Sequence, residues 1–204
     1  SEDFTFENVA VVAQAIADFV RSRREPVYRK RTLAIGYDTR FLSEKYAEIT
    51  ACVLAANGIR SVLSSASCPT PAVCVYIRDR KLTGGVMITA SHNPPQYNGV
   101  KYKGWFGGSA ASDIIDDIEK RLHKSAVKTM SIDEAKKKRL VSVVDITAVQ
   151  LKAVVKYSDM KKLRGSRMRI LVDSMFGTGD SHLGNILKGS GIKIDYMNND
   201  VNPG

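Results

Sequence analysis

Apolar positions recur in two rhythms along this chain, and the two alternate. Over residues 6–20, Val9, Val12, Ala13, Ile16, Phe19 and Val20 keep a three-to-four spacing, which predicts an amphipathic helix. Thr5 stands as its N-cap, and Arg21, Arg23 and Arg24 suit the negative end of its dipole. Residues 25–31 form a polar connector containing Pro26. Leu33-Ala34-Ile35-Gly36 then reads as a short buried strand. A helix over 43–56 is expected to be capped by Ser43 and stopped at Asn57-Gly58. Residues 59–63 predict a second strand. Thr70-Pro71 starts a helix, Thr70 as cap and Pro71 as first helical residue, running to about Lys81. Residues 86–89 predict a third strand, and 109–123 a helix with Ile114, Ile115, Ile118 and Leu122 on one face.

Strand alternating with helix predicts an α/β fold, a layered α/β/α domain around a mixed, largely parallel sheet. Beyond it, Ser131 and Glu134 form a capping box before a short helix. Residues 141–144 are strand-like, and Val149, Ala153, Val154 and Tyr157 fall in helical phase. A basic connector over 161–169 leads into Ile170-Leu171-Val172-Asp173, the start of a second strand–loop–helix–strand unit ending near Met197. The boundary is placed near 145–147. This divides the chain into a first domain, 1–146, and the start of a second, similar α/β domain, 147–204, too short to close a sheet.

Composition narrows the class. With 204 residues, 44% hydrophobic and 25% charged, the chain can bury a real core. No apolar run approaches the roughly 18 residues of a membrane span, so no membrane partner is expected. Ser1-Glu2-Asp3 is acidic where a signal peptide would be basic. The three cysteines, Cys52, Cys68 and Cys74, lack paired spacing, which predicts reduced thiols in a cytoplasmic protein rather than disulfides or a zinc site. The net charge of +10 favours anionic partners, either nucleic acid or phosphorylated metabolites.

Candidate chemistry concentrates in Thr89-Ala90-Ser91-His92-Asn93-Pro94-Pro95, which follows the third strand, and in Asn98-Gly99-Val100-Lys101 after it. Prolines fix φ, and Asn-Gly is expected to turn the chain with φ > 0, so the loop presents Ser91 at a fixed place and angle. Ligands collect outside the carboxyl ends of strands in open α/β sheets. If the first and third strands are parallel, Arg40 of Gly36-Tyr37-Asp38-Thr39-Arg40 shares a rim with Ser91 and Lys101. Two fixed cations beside a hydroxyl suit phosphoryl transfer, in which charge grows on the moving group. Lys103 reads as the solvated neighbour of Lys101. His92 adjoins Ser91, but neighbouring residues rarely aim at each other and no nucleophile elbow is present, so His92 is expected to hold the loop through hydrogen bonds.

At these residues the chain resembles the α-D-phosphohexomutase superfamily, the phosphoglucomutase and phosphomannomutase enzymes. The run Thr89–Pro94 is highly specific to that family. Asn98–Lys101, Gly36–Arg40 and the glycine-rich Gly107-Gly108-Ser109-Ala110 are similar to its other first-domain motifs. The resemblance implies that Ser91 is a phosphoserine, that a hexose 1-phosphate and a hexose 6-phosphate of glucose or mannose interconvert through a hexose 1,6-bisphosphate, and that Arg40 and Lys101 bind substrate and serve catalysis. It places His92 in the catalytic loop, with Asn93, Pro94, Asn98 and Gly99 shaping it. It implies one Mg²⁺ that touches Ser91 through its phosphate and takes its aspartates from residues outside this chain. The expected partners are a phosphorylated hexose and the rest of domains II–IV. The chain therefore reads as a piece trimmed at both ends, unable to run the mutase cycle alone.

Two rivals are weighed beside it. Gly177-Thr178-Gly179 after a strand invites a nucleotide-binding reading, but the third glycine of that fingerprint is His182. A nucleic-acid-binding module draws on Lys136-Lys137-Lys138-Arg139 and Lys161-Lys162. Aromatic residues are not interleaved with either patch, and no nucleic-acid partner is expected.

Overall fold

A computed structural model describes residues 4–179 and 181–201. The acidic Ser1-Glu2-Asp3 lies outside them. Five strands form one sheet in the order β4-β3-β1-β2-β5. They are β1 (Thr32–Tyr37), β2 (Arg60–Ser64), β3 (Gly84–Ile88), β4 (Val100–Gly104) and β5 (Val141–Val144). All neighbours are parallel except β3 and β4, which are antiparallel. One face carries α1 (Phe6–Ser22), α2 (Ser43–Ala56), α4 (Ser112–Glu119) and α5 (Ile132–Lys137); the other carries α3 (Thr70–Arg80) and α6 (Thr147–Tyr157). The expected three-layer, mostly parallel arrangement is therefore the observed one.

The period-2 strands divide their side chains between two cores. Val86, Ile88, Leu33 and Ile35 join Ile16, Phe19 and Leu54 on the first face. Ala34 and Met87 join Val73, Ile77 and Ile146 on the second. Phe19 stands edge-on to Tyr28 and Tyr102 at 5.7 and 5.8 Å. Helix α3 sits close on the sheet because Gly36 and Gly85 leave a notch beneath Val73. A Cβ on Gly85 would lie 2.7 Å from Ile77 Cδ1 and 3.3 Å from Val73 Cγ1. Beyond α6, a short α7 (Met160–Gly165) occupies part of the stretch expected to be a connector. Strands β6 (Arg169–Asp173) and β7 (Lys193–Met197) pair in parallel across α8 (His182–Ile186).

Local chemistry revises several element ends. Thr5 caps α1 as expected, accepting from Asn8 N at 3.1 Å. Ser43 does not cap α2. Leu42 takes the cap position at φ +58°, and Ser43 becomes the first helical residue, its hydroxyl turned to Asp38. Thr70 likewise begins α3 with Pro69 as cap. Helix α4 starts later than expected, at Ser112, because Ser109 pairs with Lys103 in an antiparallel bridge. Half the capping box forms: Ser131 accepts from Glu134 N at 3.2 Å, while the Glu134 carboxylate goes to Lys138.

Two tyrosines buried near the sheet set an alkaline limit. Burial, then the charge of Glu44, pushes the Tyr37 hydroxyl up to about 12. Burial pushes Tyr102 up as well. In an unfolded chain both lose their protons near pH ~10. Above that the unfolded chain binds fewer protons than the folded one, so stability is full below pH ~10 and falls as pH rises toward the folded value. Alkaline titration is expected to unfold the protein above pH ~10, read by far-ultraviolet circular dichroism. The Tyr102 hydroxyl also has no hydrogen-bond partner among the described residues. Removing an unmet polar group relieves its desolvation cost, so Tyr102→Phe is expected to raise stability by about 1 kcal/mol, read as a higher urea midpoint.

Candidate active site

Strands β1 and β3 are adjacent and parallel, with Tyr37 opposite Ile88. Both therefore end at one rim. The ladder runs one residue further, where Asp38 N donates to Ile88 O at 3.1 Å. Arg40 and Ser91 each follow three residues after that paired end. Strand β4 returns alongside β3 with Lys101 opposite Met87, and Thr89 N donates to Gly99 O at 2.9 Å as the last rung. The hairpin so closed brings Lys101 Nζ into a hydrogen bond with Ser91 Oγ. Ser91 is exposed at the rim, as expected of a reacting hydroxyl.

The loop between them is wound around one guanidinium. Arg40 Nη1 donates to Pro94 O at 2.8 Å and Tyr97 O at 2.9 Å. Its Nη2 donates to Ser91 O at 3.0 Å and Asn93 O at 2.6 Å. Its Nε faces Asp38 Oδ2 at 3.2 Å, and the side chain is only 12% exposed. All five N–H donors of Arg40 are thus directed at protein oxygens, four of them loop carbonyls. Arg40 lies beside Ser91, but its hydrogen-bonding capacity is spent on the loop backbone rather than held out toward an anion. Lys101 is the cation aimed at the hydroxyl.

Strain sits at Ser91. Ser91 has φ +59°, in the left-handed region. For a residue with a side chain this costs about 1–2 kcal/mol. Charged hydrogen bonds of the Arg40 kind contribute about 1.5–3 kcal/mol each, enough to hold the conformation. Ser91 N also donates to Thr89 Oγ1 at 3.0 Å.

Other expectations move. The turn expected at Asn98-Gly99 falls earlier, at residues 95–96, with Tyr97 N donating to Pro94 O at 3.0 Å. Asn98 instead ties the entry of β4 down: its Nδ2 donates to Ser43 Oγ at 2.8 Å, and its Oδ1 accepts from Gly99 N at 2.9 Å. His92 is exposed and makes no hydrogen bond among the described residues, so it does not hold the loop as expected. Lys103 is not solvated: it is 5% exposed and donates to Ser109 Oγ at 3.3 Å. Gly107 and Gly108 lie beyond Gly104 at the opposite end of β4 from Lys101, far along the strand from Ser91.

A cavity of about 810 Å³ opens beside the loop, lined by Arg40, Cys68, Met87, Ser91, Phe176 and Thr178 among others. Burial pushes the Cys68 thiol up, so it presents a neutral wall. The far wall comes from the turn after β6, where Gly177 N donates to Ser174 O at 2.8 Å and Met175 and Phe176 both have positive φ. Thr39 Oγ1 donates to Phe176 O at 2.9 Å and joins the two walls.

The donor set around Ser91 does not by itself make a magnesium site. Such an ion takes carboxylate and other oxygen ligands. The carboxylate that lines the cavity, Asp38, has Oδ1 accepting from Ser43 Oγ and Arg40 N, and Oδ2 facing Arg40 Nε. No group of three or more His, Cys, Asp or Glu able to hold a metal occurs among the described residues.

Residues 1–128 match the family model "Phosphoglucomutase/phosphomannomutase, alpha/beta/alpha domain I". The chain belongs to the phosphoglucomutase/phosphomannomutase family. A phosphoglucomutase of Komagataeibacter xylinus is 30% identical over 214 residues, covering 98% of this chain and 38% of its own length. Human phosphoglucomutase-1 is 30% identical over 209 residues, covering 89% and 37%. A phosphoglucosamine mutase of Prochlorococcus marinus (strain MIT 9312) is 28% identical over 174 residues, covering 83% and 37%. A solved structure from Thermus thermophilus, named for the phosphomannomutases, superposes with TM-score 0.85 at 30% identity, over 100% of this chain and 44% of that one. The chain thus spans well under half the length of these family members. Asp38 and Ser43 also belong to the site, and the sequence marks them only through the place of Asp38 two residues before Arg40 in the same motif.

Proposed function

We propose that this chain carries the phosphoserine loop of a phosphohexomutase, which moves a phosphoryl group between the 1 and 6 positions of a hexose. The observation that carries this is the Lys101–Ser91 hydrogen bond at an exposed, backbone-locked rim. Ser91 Oγ attacks the phosphorus of a hexose 1,6-bisphosphate. The Oγ–P bond forms as the bond from phosphorus to the sugar oxygen breaks, and the hydroxyl proton ends on that oxygen. Lys101, as an ammonium, donates to Oγ and balances the charge on the group in transit. The reverse step phosphorylates the other sugar hydroxyl and restores Ser91. The cavity beside the loop holds the sugar.

The remaining assignments belong to the same reading. Residues 1–146 form the phosphoserine domain and 147–204 begin the next. A Mg²⁺ would supply further charge neutralisation at the phosphoserine, with carboxylates from outside this chain. The protein is cytoplasmic, in keeping with its three free thiols. The chain alone accepts phosphate at Ser91 but does not complete the mutase cycle. None of the described helices is long and apolar enough to cross a membrane.

The test is intact-mass spectrometry after incubation with glucose 1,6-bisphosphate and Mg²⁺. One added phosphoryl group is expected, mapped to Ser91 and missing from Ser91→Ala. Phosphate that persists in Ser91→Ala, or none in the parent chain, would overturn the reading.

A further inference from the structure

The loop and the strand that carry the two reacting side chains are fastened by separate sets of bonds, and both sets end on one carboxylate. On the serine side, Asp38 Oδ2 faces Arg40 Nε at 3.2 Å and Asp38 Oδ1 accepts from Arg40 N at 3.1 Å, orienting the guanidinium that grips four loop carbonyls. On the lysine side, Asp38 Oδ1 accepts from Ser43 Oγ at 2.9 Å. Ser43 Oγ in turn accepts from Asn98 Nδ2 at 2.8 Å, and Asn98 Oδ1 accepts from Gly99 N at 2.9 Å. Gly99 O then receives Thr89 N, the rung from which β4 carries Lys101.

The middle of this second arm is hidden. Ser43 is 1% exposed, so its hydroxyl cannot be replaced by water without opening the structure. That hydroxyl donates its one proton in the hydrogen bond to Asp38, and its lone pair accepts from the Asn98 amide. The polarity of the chain is therefore determined: amide N–H to hydroxyl, hydroxyl to carboxylate. It also explains why Ser43 is not the N-cap of α2, since its oxygen faces the rim rather than the helix amides.

We infer that Asp38 and Ser43 form a positioning unit that sets the relative placement of Ser91 and Lys101. Neither touches the reacting atoms. Asp38 acts through Arg40 on the nucleophile's backbone, and Ser43 acts through Asn98 on the start of the lysine's strand. Removing the relay leaves the two reacting groups present but lets their separation drift. A misplacement of about 1 Å is enough to cost on the order of 100-fold in rate. This inference rests on the phosphoserine reading above, and it deepens that reading by dividing the rim into reacting and placing residues.

The experiment has two readouts on the full 204-residue chain. The first is amide hydrogen exchange of residues 89–99 in the parent, Ser43→Ala and Asp38→Asn. The amides of Thr89, Ser91, Asn93, Tyr97 and Gly99 all donate hydrogen bonds within this segment. They are expected to exchange about tenfold or more faster in both variants, while β1 and the buried half of β3 keep their protection. The second is the rate of Ser91 phosphorylation against glucose 1,6-bisphosphate concentration. The maximal rate is expected to fall at least about tenfold, with the half-saturating concentration within about twofold of the parent. Ser43→Thr, which restores the hydroxyl, is expected to recover part of the rate. Unchanged exchange across 89–99 overturns the inference, as does a loss confined to half-saturation or a uniform loss of protection through the sheet. If the parent chain takes no phosphate, the phosphoserine reading fails and the exchange pattern alone decides the positioning unit.

Discussion

Lys101→Met is expected to slow phosphorylation of Ser91 by about 10²- to 10³-fold, the range typical of losing a preorganised donor aimed at developing charge. Methionine keeps the length and apolar stem of lysine but not the amine, so β4 retains its place opposite Met87. What disappears is the hydrogen bond to Ser91 Oγ and the charge beside the moving phosphoryl group. Arg40 does not compensate, because its donors are held by the Pro94, Tyr97, Ser91 and Asn93 carbonyls and by Asp38. Rapid-quench measurement of phosphoserine formation decides the matter. A Lys101→Met rate within a few-fold of the parent would remove the lysine from the chemistry. Lys103→Met serves as the contrast. Lys103 is buried and bonded to Ser109, so that change is expected to alter stability and leave the transfer rate near the parent's.

Arg40→Lys is expected to cost on the order of 100-fold in the same rate despite conserving the charge. Guanidinium presents five N–H donors in a planar fork; an ammonium presents three from a single point. One ammonium with three donors cannot serve all five partners that Arg40 reaches from three nitrogens, so at least two of the five are released. The left-handed conformation at Ser91 then loses the contacts that offset it, and the hydroxyl leaves its place beside Lys101. The effect belongs in the maximal rate rather than in substrate affinity, because the guanidinium has no donor left for a ligand. A selective rise in half-saturation, with the maximal rate kept, would instead make Arg40 a direct phosphate contact.

Much of this site could be read from residue order, for local reasons. The buried run before Thr89, the prolines after Ser91 and the proximity of Lys101 all act within one hairpin. The alternation of helix and strand pointed to a largely parallel sheet; that β1 and β3 are parallel neighbours, which puts Arg40 on the rim of Ser91, is seen in the structure. The task of Arg40 was not readable. A motif shows that an arginine is near, but not that four carbonyls curl toward it. Asn98-Gly99 misled for a related reason: the pair commonly turns a chain, yet here the Asn98 amide is engaged by Ser43, 55 residues away. His92 has no tertiary partner among the described residues, and nothing in its neighbours announced that. Strand β4 was missed because its five residues alternate lysine with buried Tyr102 and end in glycine, a weak pattern that pairing with β3 overrides.

The place of β4 in the sheet order has a dynamic consequence. It is the outermost strand, with β3 as its strand neighbour on one side and, on the other, only the bridge of Lys103 to Ser109 among the described residues. The strand bearing the nucleophile's loop is fastened on both sides, by β1 and by β4. A displacement that shifts the amine therefore disturbs one ladder, whereas moving the serine disturbs two and unwinds a guanidinium from its carbonyls. Lys101 is therefore expected to be the more mobile side chain of the pair, with Ser91 Oγ the fixed point. In the proposed reaction the amine adjusts to the substrate while the oxygen stays put.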